Sequence, residues 1–202
     1  MQSRLHLASC YRQLELFDEA ENECVKASAI SSLKHTRLFD VVAHVHQEFS
    51  RLRLHQNRLD DALDEIDLAI SIREQLFNLA TPYPDNLTRY CDDWSVRGDI
   101  LMKLDRLSEA ETAYVKSFEI AQTTRRDHPV VKRLKRKQSA SIKKLVAFYR
   151  KSNRYEDGRK FLAMLPFDTS DSLRIIGECY LTLGCFEEGQ NAIKAAVEFE
   201  GR

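Results

Sequence analysis

The chain is poor in turn-forming residues. Its 202 residues include only 6 Gly and 4 Pro, too few for the many reversals of an all-β fold but enough for helices joined by short connections. No apolar run approaches the ~20 residues of a membrane-spanning helix, and the N-terminus lacks the basic-then-apolar pattern of a secretion signal. No membrane association is therefore expected. There is no excess charge either: 31 Lys and Arg face 31 Asp and Glu, which argues against a whole-surface electrostatic grip on nucleic acid. The five cysteines, Cys10, Cys24, Cys91, Cys179 and Cys185, are odd in number and have no CxxC spacing. They predict neither a disulfide framework nor a structural zinc site, and read as buried reduced thiols of a cytoplasmic or nuclear protein. A Gly-rich phosphate loop, a nucleophile elbow and a recognisable acid–base pair are all missing. No catalytic residue, cofactor or metal ligand is assigned, and nothing asks for an enzyme.

What the chain does have is hydrophobic content of 43% arranged with helical period. Between Leu59 and Leu76, the residues Ala62, Leu63, Ile66, Ala69, Ile70, Ile72 and Leu76 draw one stripe. Asp60, Asp61, Asp64, Glu65 and Asp67 face away from it. The periodicity predicts helices over 2–14, 17–30, 38–55, 59–78, 86–104, 107–124, 130–152, 155–164, 170–183 and 186–200. Breakers fall between them. Thr81-Pro82-Tyr83-Pro84-Asp85 interrupts, with Asp85 or Asn86 to cap the next helix. His128-Pro129 places proline in a first turn, Leu165 to Ser170 offers polar caps, and Gly201 sits where a C-terminal cap belongs.

One pattern recurs. Ala8-x-x-Tyr11 is followed by Phe17-x-x-Ala20, and Gly177-x-x-Tyr180 by Phe186-x-x-Gly189. Small residues Ala8, Ser50, Gly98 and Gly177 take one place; Ala20, Ala62, Ala110, Gly158 and Gly189 take a second, at spacings of 42, 48, 48 and 31 residues. Small side chains let two helices of a hairpin cross closely, and the aromatic fills the wedge where they diverge. A repeat describes the whole fold rather than one site.

Trp94-x-x-Arg97-Gly98-x-x-Leu101, Leu107-x-x-Ala110 and Tyr114 together resemble the signature of the tetratricopeptide repeats, as do Leu7-Ala8-x-x-Tyr11, Phe17-x-x-Ala20 and Ala27. The resemblance covers essentially the whole chain. It implies an all-α, right-handed α-solenoid of five antiparallel helix pairs in one domain, with repeats near 1–34, 38–78, 86–124, 130–165 and 170–202, belonging to a longer protein. Ser50 and Arg53 depart from the small and aromatic positions, and Val146 stands for a small residue. The long middle spacings imply longer helices or insertions in the middle pairs.

In such solenoids the first helix of each pair lines a concave groove. The resemblance therefore implies groove residues Leu5, Ser9 and Arg12; Gln47, Glu48 and Arg51; Ser95 and Asp99; Lys143, Lys144 and Ala147; and Arg174 and Glu178. Their mixed chemistry suits an extended peptide or an amphipathic helix of a protein partner. Leu5 and Ser9 are wrong for the lysine–asparagine carboxylate clamp of the family's chaperone-binding members. The strongest charge feature is a basic patch, Lys132, Arg133, Lys135, Arg136 and Lys137, followed by Lys143 and Lys144. It reads as a solvated helix face, a dock for an acidic protein segment, an import signal or a nucleic-acid contact. The lack of interleaved aromatics disfavours nucleic acid. His44 and His46, two apart on a helix, point in different directions and do not share a metal. Val197 and Phe199 leave an apolar edge through which terminal repeats could self-associate. The expectation is a protein–protein interaction scaffold; the alternatives are a nucleic-acid-binding solenoid and a regulatory domain of a larger enzyme.

Overall fold

The computed structural model describes residues 2–30, 36–79, 83–128, 132–166 and 169–200. Among them lie ten helices and no strand. They are α1 (Gln2–Gln13), α2 (Phe17–Ile30), α3 (Thr36–His55), α4 (Leu59–Leu79), α5 (Pro84–Lys103), α6 (Leu107–Asp127), α7 (Lys132–Lys151), α8 (Tyr155–Ala163), α9 (Ser170–Thr182) and α10 (Phe186–Glu200). Each departs from the sequence expectation by at most three residues at either end. The extra spacing of the middle repeats is helix length: α3 to α7 each run 20 or 21 residues, against 12 and 14 for α1 and α2. The α5 start differs from expectation. Pro84 occupies the first turn and Tyr83 the N-cap, with no side-chain cap bond. Asp85 and Asn86 lie inside the helix, because a proline, needing no N–H partner, opens it more readily. Thr169 does cap α9, in a reciprocal box with Ser172. Thr81, Pro82, Pro129, Phe167, Asp168 and Gly201 lie outside the described residues.

The chain forms two compact units, residues 1–128 and 129–202. In the first, α1 and α2, α3 and α4, and α5 and α6 pair as antiparallel hairpins. Among the described residues α3 touches both α1 and α5, whereas α2, α4 and α6 do not touch one another. The first helices are thus the more closely spaced layer, which makes theirs the inner face. The core runs between the layers, from Leu5, Ala27 and Val45, with Val41 and Phe49 packed on them, to Ala62, Ile66, Ile100, Leu101 and Ala110. In the second unit α7 packs on α8 and α9, and α9 on α10, while Arg159 of α8 reaches Glu188 of α10 at 2.9 Å. Leu134, Leu145, Phe148, Leu162 and Ile176 fill its core.

All five hairpins turn the same way. Glu15, Asn57, Asp105, Asn153 and Gly184 each have φ between 56° and 81°, five residues before the second small residue. In each turn the next N–H reaches back to a carbonyl five residues earlier, as in Leu16 to Tyr11 at 2.9 Å and Arg154 to Tyr149 at 2.8 Å. This closes the first helix with its orphan carbonyls satisfied. Asn, Asp and Gly tolerate the left-handed conformation; Glu15 has no such aptitude. Replacing Glu15 with glycine should stabilise the first unit by about 0.5–1 kcal/mol, read as a higher urea midpoint. An unchanged or lower midpoint would show that the strain is relieved some other way.

The small residues do what their recurrence requires. Ala8, Ala20, Ala62 and Ala110 are buried. Ser50 keeps the pattern although it is polar, since its hydroxyl donates to the Ala62 carbonyl at 2.7 Å across the hairpin. Arg53, at the aromatic position, instead grips Glu21 of α2 with two bonds of 2.6 and 3.0 Å. In α9–α10 the backbones approach closely: a Cβ on Gly177 would lie 2.7 Å from the Ile193 side chain and 3.0 Å from the Gly189 carbonyl oxygen. Backbone cannot step aside as a side-chain tip can. Gly177→Ala should therefore destabilise the second unit by about 1–3 kcal/mol, although alanine gains about 1 kcal/mol of helix propensity. A melting temperature at or above that of the parent would contradict this packing.

Candidate functional site

On the inner face of the first unit, α3 carries a polar stripe. Asp40, His44, Gln47, Glu48, Arg51 and His55 recur at intervals of three and four residues and so share one side of the helix. Neighbouring helices supply its partners. Glu48 is almost wholly buried, and its carboxylate takes Arg51 Nη1 at 2.6 Å, lies 3.7 Å from Arg12 Nε of α1 and is 3.9 Å from His44 Nε2. Arg12 also reaches Ser9 and His55. Farther along, Asp40 bridges Arg73 of α4 and Arg89 of α5. Arg73 Nε meets Asp93 of α5 at 2.5 Å, and both of those side chains are 0% exposed.

Electrostatics follow from this burial. Desolvation pushes the Asp93 carboxyl up to about 7, against the pull of Arg73 and Arg51. Desolvation, with Arg89, Arg73 and Arg51 nearby, pushes His44 down to about 3, leaving a neutral imidazole. Several buried polar atoms here have no hydrogen-bond partner: Arg12 Nε, His44 Nδ1, Gln47 Nε2, Arg73 Nη2 and Asp93 Oδ1. His46 points elsewhere, to Glu65 of α4 at 2.7 Å.

The predicted groove residues separate into groups. Arg12, Glu48 and Arg51 come together in one ion-paired cluster. Leu5, Gln47 and Ser95 are buried in the packing, so their side chains are not presented for contact. Ser9 is half-buried. Asp99 is not part of the cluster; it accepts the Tyr114 hydroxyl at 2.7 Å. In the second unit, Lys143 of α7 pairs with Glu178 of α9 at 2.8 Å, Lys144 is exposed, Ala147 is half-buried, and Arg174 pairs with Glu200 at 2.8 Å. Of the basic patch, Arg133 and Arg136 are exposed, Lys137 is half-buried, and Lys135 is tied to Asp171 of α9. The Lys132 side chain lies outside the described residues.

The thiols divide by exposure. Cys24, Cys91 and Cys179 are buried, with burial holding the Cys24 thiol up at about 12 and Cys179 at about 11. Cys10 is exposed and Cys185 half-buried, against the expectation of uniformly buried thiols: Cys10 falls on the side of α1 turned away from the hairpin core.

Sequence periodicity singles out neither Arg73 nor Asp93. Arg73 lies in the middle of the α4 apolar stripe, three residues beyond Ile70 and before Leu76. An arginine at such a position signals a buried partner, and Ile72, assigned to the stripe, is only half-buried.

A family model for the tetratricopeptide repeat matches residues 94–124, the end of α5 with most of α6. The chain carries a tetratricopeptide repeat. The remaining helix pairs share its architecture, and solved helical-repeat structures superpose over nearly the whole chain. A putative kinesin light chain of Podosopora anserina with nearly identical repeats is 17% identical, with 98% of this chain and 94% of that chain covered and a TM-score of 0.63. BtubC of P. vanneervenii is 15% identical, with 96% and 77% covered and a TM-score of 0.62. The yeast histone chaperone Hif1, described as a scaffold protein recruiting protein complexes to core histones, is 15% identical, with 98% and 95% covered and a TM-score of 0.52. At these identities the likeness is one of fold. No curated protein matches the sequence. No helix among the described residues is long and apolar enough to cross a membrane.

Proposed function

We propose that this tetratricopeptide-repeat chain is a protein–protein interaction scaffold that takes a segment of a partner protein on its first-helix faces. The observation that carries the reading is the α3 stripe with Arg12: ion pairs hold Arg12 and Arg51 on either side of the buried Glu48. Side chains fixed in this way lose little further freedom when a partner docks. The mixture of cations, one buried acid and buried donors suits the backbone and side-chain polar groups of a peptide. The reading assigns the chain no catalysis.

The test is capture of partners from cell extract by the immobilised chain, washed at low and high salt, beside an Arg12→Gln, Arg51→Gln variant. A protein retained at high salt by the parent and lost from the variant supports the scaffold. Retention of nucleic acid alone, and only at low salt, would overturn it, because phosphate contacts weaken steeply with ionic strength.

A further inference from the structure

Helix α7 holds nine lysines and arginines in 20 residues and no acid. Five of them, Lys132, Arg133, Lys135, Arg136 and Lys137, lie in its first half, where the positive end of the helix dipole disfavours cations. Arg133 also faces like charge at Arg136 and Lys137, three and four residues on, which costs a few tenths of a kcal/mol per pair. This arrangement opposes helix stability unless anions lie nearby.

One anionic neighbour is already present. Asp171 and Glu178 of α9, seven residues apart, take Lys135 and Lys143 of α7, eight apart. Carboxylates spaced by two helical turns, about 11 Å, therefore fit the lysines on that edge of α7. One position along, Arg136 and Lys144 repeat the eight-residue spacing, and both are exposed. At 100° per residue, Arg133, Arg136, Lys143, Lys144 and Lys151 fall on one side of the helix, around the exposed Ala140 and half-buried Ala147. Cations flank a floor of small side chains, which lets a partner backbone come close.

We propose that this exposed face of α7 docks an acidic protein segment whose carboxylates lie two helical turns apart, as those of α9 do. The proposal rests on the scaffold reading and names the partner chemistry for the second unit. Nucleic acid fits less well: Phe148 and Tyr149 are buried, so the face offers no ring for base stacking, and Asp171 and Glu178 stand beside it.

The experiment uses the full chain and three labelled synthetic helical peptides with amidated C-termini, so that no terminal carboxylate contributes. One has glutamates seven apart, one has the same glutamates adjacent, and one has glutamines in their place. Binding is read by fluorescence anisotropy at low and moderate salt, with an unlabelled oligothymidine as competitor. The expected result is that the seven-spaced peptide binds tightest, weakens at least tenfold in an Arg136→Gln, Lys144→Gln variant, and is unaffected by Arg12→Gln, Arg51→Gln. Equal binding of the glutamine peptide, equal binding by the α7 variant, or displacement by oligothymidine at lower concentration than by unlabelled acidic peptide would each overturn the proposal. If a protein is captured from extract equally by the parent and the α7 variant, the scaffold stands and this assignment falls.

Discussion

Replacing Arg73 with methionine should cost the first unit about 3–5 kcal/mol at pH 8, the usual cost of breaking a buried ion pair by removing one partner. Arg73 is wholly buried between α3, α4 and α5, and it is the shared partner of Asp40 and Asp93. Without it Asp40 still has Arg89 at 2.6 Å and some access to solvent. Asp93 has neither; its second oxygen is already without a partner. The loss should shrink as pH falls from 8, because burial already raises the Asp93 carboxyl against the pull of Arg73, and without that pull it takes up a proton rather than remain a bare buried anion. A double variant, Arg73→Met with Asp93→Leu, should recover much of the loss, since no unpaired charge is left inside. Urea unfolding of parent, single and double variants at pH 8 and at lower pH checks all three statements. A cost under about 1 kcal/mol at pH 8 would mean that water reaches Asp93 freely.

That network also marks the limit of what the sequence discloses. The helix pattern was legible because two strong signals agreed: apolar periodicity, and small residues twelve apart within a hairpin, as in Gly98 with Ala110. Both arise from packing neighbours close along the chain. The five left-handed turn residues could have been read as well, since Asn57, Asp105, Asn153 and Gly184 are residues that accept positive φ and stand at one repeat position; only Glu15 conceals the pattern. Arg73–Asp93 could not be read, because it joins residues on different helix pairs and nothing local distinguishes Asp93 from its half-buried neighbour Asp92.

The groove assignments show the same division. Position in the repeat placed Arg12 and Arg51 on the inner layer, where they meet through Glu48. It also placed Gln47 there, one residue from Glu48; both are buried, but Glu48 meets the two arginines and Gln47 Nε2 meets no partner. A rotation of 100° per residue decides between the two fates, finer than a repeat signature resolves. In the basic patch, composition revealed the cations but not the acids of α9 that hold Lys135 and Lys143.

The stability of the first unit should respond to pH in opposite directions in two single variants. His44 is held at about 3 in the folded chain, against an ordinary histidine value of 6.5. Between those values the unfolded chain binds a proton that the folded chain refuses, so stability attributable to His44 falls as pH falls below about 6.5, by about 1.4 kcal/mol per pH unit. Asp93 is the reverse case: held at about 7 against an ordinary 3.8, it binds a proton in the folded chain that the unfolded chain has released. Its contribution is present at low pH and is lost as pH rises through 7, with the same slope and opposite sign. From about pH 4 to 6.5 the two cancel, and the parent should show little slope from this pair. His44→Gln leaves Asp93 alone, so stability should fall as pH rises across that window. Asp93→Asn leaves His44 alone, so stability should rise with pH across it. The slopes, not the absolute stabilities, carry the test, measured by urea unfolding at half-unit pH steps. Parallel slopes in the two variants would show that the imidazole or the carboxyl titrates as it does in water, and that this part of the inner face is open to solvent.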